Sequence, residues 1–179
     1  MLQLPLLDAK ACGQWIPSRS WICYRNTVLP VLTPHICSDS LQKAIRLLGE
    51  GHTCVLCRGE KTWISDLRGI RPVLQFTGDG NDLHGCSAAD RIVGRAAAML
   101  FVLAGVREVY ADVMTEGAIT VLRSNGIDCF CKQQVFVINN RTGDGPCPME
   151  IAVAGIESPE DAVTAIRQAL QRLNEKGQP

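Results

Sequence analysis

From Ser38 onward the sequence alternates between strand-like and helix-like runs, and that alternation leaves a layered α/β architecture as the natural outcome. Ser38 or Asp39 can cap a helix whose Leu41, Ala44, Ile45 and Leu48 share one face, with Gly49 and Gly51 ending it. Residues 53–58 and 61–66 are predicted strands joined through the turn pair Gly59 and Glu60, a hairpin. A short helix is expected over 72–76, then a polar loop over 77–85. Residues 87–104 are predicted as one long helix, apolar nearly all round, with Ser87 and Asp90 as a capping box. Strands at 108–111 and 127–131, a helix at 116–124 stopped by Gly126, and a further strand at 135–138 follow. Pro148 suits the first turn of a short helix, and Ser158 opens the last one, with Ala162, Val163, Ile166, Leu170 and Leu173 inward. The expected fold class is α/β, a three-layer α/β/α sandwich with a mixed sheet. Residues 1–37 carry four prolines, two tryptophans and no periodicity, and are read as a poorly structured N-terminal extension to a domain spanning 38–175.

Charge narrows the function classes. Eighteen basic and eighteen acidic side chains give zero formal net charge, without the electrostatic signature of a nucleic-acid or anionic-membrane binder. No apolar run approaches the roughly 20 residues of a membrane helix. Nine cysteines are an odd number at irregular spacing, and the first residues lack a basic leader pattern. A reduced, cytoplasmic chain is therefore expected, with most cysteines acting as small apolar residues. Cys54 and Cys57 lie three apart in a strand, so they face opposite sides and cannot chelate together. Cys129 and Cys131 share a face and read as packing residues. His35, His52 and His84 show no ligand-like spacing and read as surface or loop residues, so no metal site is expected.

Two segments invite a chemical reading. The loop Asn139–Pro146 follows a strand, precedes a helix and is dense in turn formers. Asn140, Arg141, Thr142 and Gly143 can supply backbone amides and a guanidinium fork to an anionic ligand, or serve only as a connection. Cys147 sits where a helix begins, a position that favours a thiolate nucleophile or sulfur carrier, and Glu150 is a candidate second acid or base. In the predicted helix at 87, Asp90 is a candidate acid, base or orienting group, while Ser87 and Arg91 are candidate ligand contacts. For Ser87 capping alone is the better explanation.

Three separated motifs in order carry a resemblance: Gly51-His52-Thr53-Cys54-Val55-Leu56, then Ser87-Ala88-Ala89-Asp90-Arg91 through Ala98, then Asn140-Arg141-Thr142-Gly143 with Cys147-Pro148-Met149-Glu150. Over residues 38–173 the chain resembles domain of unknown function 1893. The resemblance implies a cytidine deaminase-like fold. Basic positions of the family's helix motif are often lysine, whereas this chain has Arg91 and Arg95, which offer no deprotonatable amine.

The zinc chemistry of deaminases does not follow. It needs His or Cys two residues before Glu, and Pro-Cys-x-x-Cys. No histidine or cysteine here precedes Glu at that spacing, and the single Pro-Cys, Pro146-Cys147, has Glu150 where the second cysteine belongs. Zinc cysteines are expected after the 108–111 strand, where Asp112 to Glu116 stand instead. No cofactor is predicted. Two classes of function fit: a small-molecule enzyme without the usual zinc, using Cys147 with Asp90 and Glu150, or a non-catalytic ligand-binding or regulatory module in a partner complex.

Overall fold

The computed structural model describes residues 37–175. The expected extension, Cys37 apart, lies outside them, as do Cys12, Cys23 and His35. Five strands and six helices follow in the order α1 (Asp39–Gly49), β1 (Cys54–Arg58), β2 (Lys61–Ser65), α2 (Arg71–Gly78), β3 (Ser87–Val93), α3 (Arg95–Leu103), β4 (Glu108–Thr115), α4 (Glu116–Ser124), β5 (Asp128–Val135), α5 (Pro148–Ala152) and α6 (Pro159–Glu175). The sheet order is β2-β1-β3-β4-β5. β1 pairs antiparallel with both neighbours, and β3, β4 and β5 run parallel. The sheet is mixed and the class is α/β.

The largest departure from expectation is at residues 87–94. They form the central strand β3, and the helix begins only at Arg95. The Ser-Ala-Ala-Asp-Arg run contains good helix formers and no β-branched residue, so local propensity misleads. Tertiary context decides. Ala88 packs into the main core beneath α3, and Ala89 joins Ala44, Leu48, Val55 and Cys57 beneath α1. A strand covered on both faces does not alternate, and here the helices above and below leave room only for alanine. Ile92, Val93 and Gly94 hold the signal that the helical reading passed over. At the far edge, β5 is one continuous strand through Val135, so the separate strand at 135–138 does not form.

The two faces are covered unequally. α1 lies on one, over β1, β3 and the margin of β4. α3 and α4 lie on the other, with α2, α5 and α6 against α3. Cys54 belongs to the main core and Cys57 to the α1 cluster, the opposite-face placement expected of them. Cys129 and Cys131 pack against the main core.

Ser38 caps α1, its Oγ accepting from the Leu41 amide at 3.2 Å and donating to the Glu108 carboxylate. Ser87 Oγ donates to the same carboxylate at 2.6 Å. Burial raises the proton affinity of Glu108, but Ser38, Ser87 and Arg107 together hold its carboxyl below the usual range. Ser38→Ala removes the cap and one of those donors. We expect a loss of about 1 kcal/mol in urea unfolding; an unchanged midpoint would show that the cap carries no weight.

Candidate functional site

The carboxyl ends of β3 and β4 are where an open α/β sheet presents its loops to a ligand. Here the first turns of α3 and α4 lie side by side: a Cβ added to Gly117 would sit 3.7 Å from the Arg95 Cβ. Glu150, on the first turn of α5, reaches into this place. Its carboxylate accepts from the Arg95 amide and from the Ala96 amide, each at 3.0 Å. Those are two of the donors a helix start leaves without an intrahelical partner, at the positive end of the dipole. Gly94 makes the approach possible, because a Cβ there would fall 2.4 Å from Glu150 Oε1. Glu150 is thus committed to holding α3, a correction to its reading as a free acid or base. Arg95 donates through Nη2 to the Ile156 carbonyl, and its Nε is buried with no hydrogen-bond partner among the described residues. The sequence groups Arg95 with Ser87, Asp90 and Arg91 as charges on an otherwise apolar helix and reads the arginine pair as lying on a solvated edge; here the Arg95 guanidinium is instead partly buried.

Asp90 lies on β3, five residues before that helix start, and is only 6% exposed. Burial pushes its carboxyl up to about 7, against hydrogen bonds from the Ile92 amide and the Cys54 thiol. The Ile92 amide donates to Asp90 Oδ1 at 3.0 Å. Burial, then the neighbouring Asp90, pushes the Cys54 thiol well up. Asp90 therefore does not sit in a first helical turn. The capping box of Ser87 and Asp90 does not exist, since both are strand residues, and Ser87 is spent on Glu108 at the opposite end of β3.

Arg91 points to the other face of the sheet. Its guanidinium donates to the Leu48 carbonyl at the end of α1 at 2.6 Å, to the His52 carbonyl at 3.0 Å and to Asp112 at 3.0 Å. Lys132 pairs with the other Asp112 oxygen at 2.8 Å. Burial raises Asp112, but Lys132 and Arg91 hold its carboxyl below the usual range. Alternation along β3 thus separates Arg91 from Asp90, and the expected joint site of the two does not form. His52 is half-buried and bonds Asp66 at 2.8 Å, tying the start of β1 to the end of β2.

The loop before α5 is closed on itself. Asn140 Oδ1 accepts from the Gly143 amide at 2.8 Å and from Thr142 Oγ1 at 3.0 Å. Asp144 accepts from Asn140 and Thr142, both at 2.6 Å. The Asn140 amide bonds the Gly145 carbonyl and the Cys147 amide the Ile138 carbonyl, each at 2.8 Å. Asn140 and Thr142 therefore shape a turn, and Arg141 and Gly143 are exposed on it. Cys147 is half-buried at the N-cap of α5 and packs against the main core. A shallow hollow of about 280 Å³, lined by Thr77, Asn81, His84, Leu103 and Gly105 among others, opens at the far end of α3, away from these groups. Among the described residues, no three His, Cys, Asp or Glu side chains gather as a metal-ligand set, and no helix is long and apolar enough to cross a membrane.

Segments far apart in sequence thus meet on residues 90–96. His52 and Thr53 bond Arg91 on one face of β3, Cys54 meets Asp90 on the other, and Glu150 of the 147–150 segment bonds the Arg95 and Ala96 amides. The model of the family TM1506, domain of unknown function (DUF1893), matches residues 42–170. The chain belongs to the DUF1893 family. The DUF1893 chain is similar in structure to a DUF1893 family protein (TM1506) from Thermotoga maritima, with a TM-score of 0.67 and 22% identity over 77% of this chain and 92% of that one. Among curated proteins none matches the sequence.

Proposed function

We propose that this DUF1893 chain is a small-molecule-binding protein of cytidine deaminase-like fold, acting at the carboxyl ends of β3 and β4 without the usual deaminase zinc. The fold reading draws support from the sheet order, with β1 the lone antiparallel strand ahead of a β3-α3-β4-α4-β5 run. With β3 now at 87–93, the helix start that follows the third strand is Gly94-Arg95-Ala96. It has no cysteine, and its amides hold a carboxylate, so the donor set does not fit zinc. The observation that carries the binding reading is the meeting of the 51–54 and 147–150 segments on residues 90–96. The α3-start amides are taken by Glu150, but the Arg95 guanidinium beside them has its Nε buried with no hydrogen-bond partner among the described residues, a cation that suits an anionic or carbonyl-bearing ligand.

The catalytic version is the second reading, favoured by the buried proton of Asp90. In it Cys147 is the nucleophile and Asp90 the proton holder, in a reduced cytoplasmic setting. Labelling with iodoacetamide at pH 6.5, followed by peptide mass spectrometry, tests it. Cys147 is expected to react about tenfold faster than Cys129, with Cys54 protected by burial. Should Cys147 react no faster than Cys129, the nucleophile is lost and the binding module remains.

A further inference from the structure

The two edges of the sheet differ. β2 is a five-residue strand, whereas β5 has eight residues. Among the described residues, no backbone hydrogen bond joins the outer side of β5 to another segment. Long open edges invite pairing, and proteins usually blunt them. Here apolar surface continues past the strand instead: Phe136 is 85% exposed and Val137 54% exposed. α1 lies over β1, β3 and the margin of β4, so the same face of β5 is left largely uncovered.

The residues on that face are Asp128, Phe130 and Lys132, alternating with the core-packed Cys129 and Cys131. We propose that β5 pairs antiparallel with β5 of a second copy of this chain, about a two-fold axis through Phe130, making one continuous sheet of two domains. Such an axis, perpendicular to the sheet, keeps each face on its own side, so a residue can oppose only residues of like face. That leaves few registers. Centring on Lys132 sets ammonium against ammonium. Centring on Cys131 sets Asp128 against Gln134 and leaves both charges without an opposite. Centring on Phe130 sets Asp128 of each copy against Lys132 of the other, ring against ring at the axis, and Cys129 against Cys131 on the core side. Opposite charges and aromatic pairs directly across a ladder are the favourable combinations.

The test is charge reversal with complementation. By light scattering on size-exclusion eluates, the full chain is expected at twice its own mass. Asp128→Lys and Lys132→Glu each place like charges at two symmetric positions and should weaken self-association by about tenfold. Mixed together, the two variants regain both opposite-charge pairs, so a heterodimer should form where neither variant self-associates. Because Lys132→Glu also faces Asp112, Phe130→Lys gives an independent check: it sets two ammoniums on the axis and should abolish the dimer alone. A chain that stays monomeric, or a dimer that survives both Asp128→Lys and Phe130→Lys, overturns the proposal.

Discussion

Asp90→Asn is expected to stabilise the protein by about 4 kcal/mol at pH 8 and to leave it nearly unchanged at pH 3. The cause is burial: the Asp90 carboxyl is pushed from its ordinary 3.8 to about 7. Between those values the folded protein keeps a proton that the unfolded chain has released. Stability therefore falls as pH rises through this window, by about 1.4 kcal/mol for each pH unit, and reaches its floor above 7. Asparagine has no charge to bury and keeps an oxygen for the Ile92 amide. Glu108 and Asp112, both lowered, act in the opposite sense, but their contribution is complete above the ordinary carboxylate range and is lost only under more acidic conditions. Urea midpoints for both proteins from pH 4 to 8 separate these effects. A native chain whose stability stays level from pH 4.5 to 7.5 would refute the buried-carboxylate account. A variant that is more stable but inert toward its ligand would add that the cost of Asp90 serves function.

Much of the fold is legible in the sequence because most elements announce themselves locally. The α1 cap at Ser38, the Gly59 turn of the hairpin, the Gly126 stop after α4 and Pro148 at the start of α5 are all read from chemistry acting within a few residues. β3 is the exception. Its alanines are small because α1 and α3 press on both sides, and no pattern within 87–94 encodes a distant helix. That single misreading propagates into the site. Asp90 and Arg91 look like neighbours on one helical turn, yet a strand turns them to opposite faces. One becomes a buried proton holder and the other a tie between α1, β1 and Asp112. The same error hides the start of α3, so Gly94 passes without a role and Arg95 reads as a charge on a solvated helix edge. The loop at 139–146 is legible as a turn, but that its polar groups bond one another depends on three-dimensional closure. Glu150 is visible as a residue with a task near a helix start. Its target, the first turn of a different helix, is a long-range contact that spacing cannot supply.

Glu150→Ala should cost about 2–3 kcal/mol, since it deprives two helix-start amides of a charged acceptor and removes a negative charge from the positive end of α3. Glu150→Gln keeps one oxygen and should cost about half as much. Gly94→Ala is the sharper probe. The Gly94 backbone is extended, with φ −95° and ψ −179°, a conformation that alanine adopts without strain. Any penalty must come from the added methyl, whose carbon would fall within 2.4–2.9 Å of all three carboxyl atoms of Glu150. The side chain can swing away, but only by giving up both amides, so Gly94→Ala should cost nearly as much as Glu150→Ala. In the Glu150→Ala background the obstacle is gone, and the same methyl should change stability by less than about 0.5 kcal/mol. The two substitutions are therefore strongly non-additive, with a coupling of about 2 kcal/mol or slightly more in a double-mutant cycle, nearly the whole cost of Gly94→Ala alone. Amide exchange at Arg95 and Ala96 should accelerate in each single variant and gain little more in the double. Additive costs would mean that Gly94 is not there to admit Glu150, and that the grip of α5 on α3 owes its strength to apolar packing around Met149 and Val153.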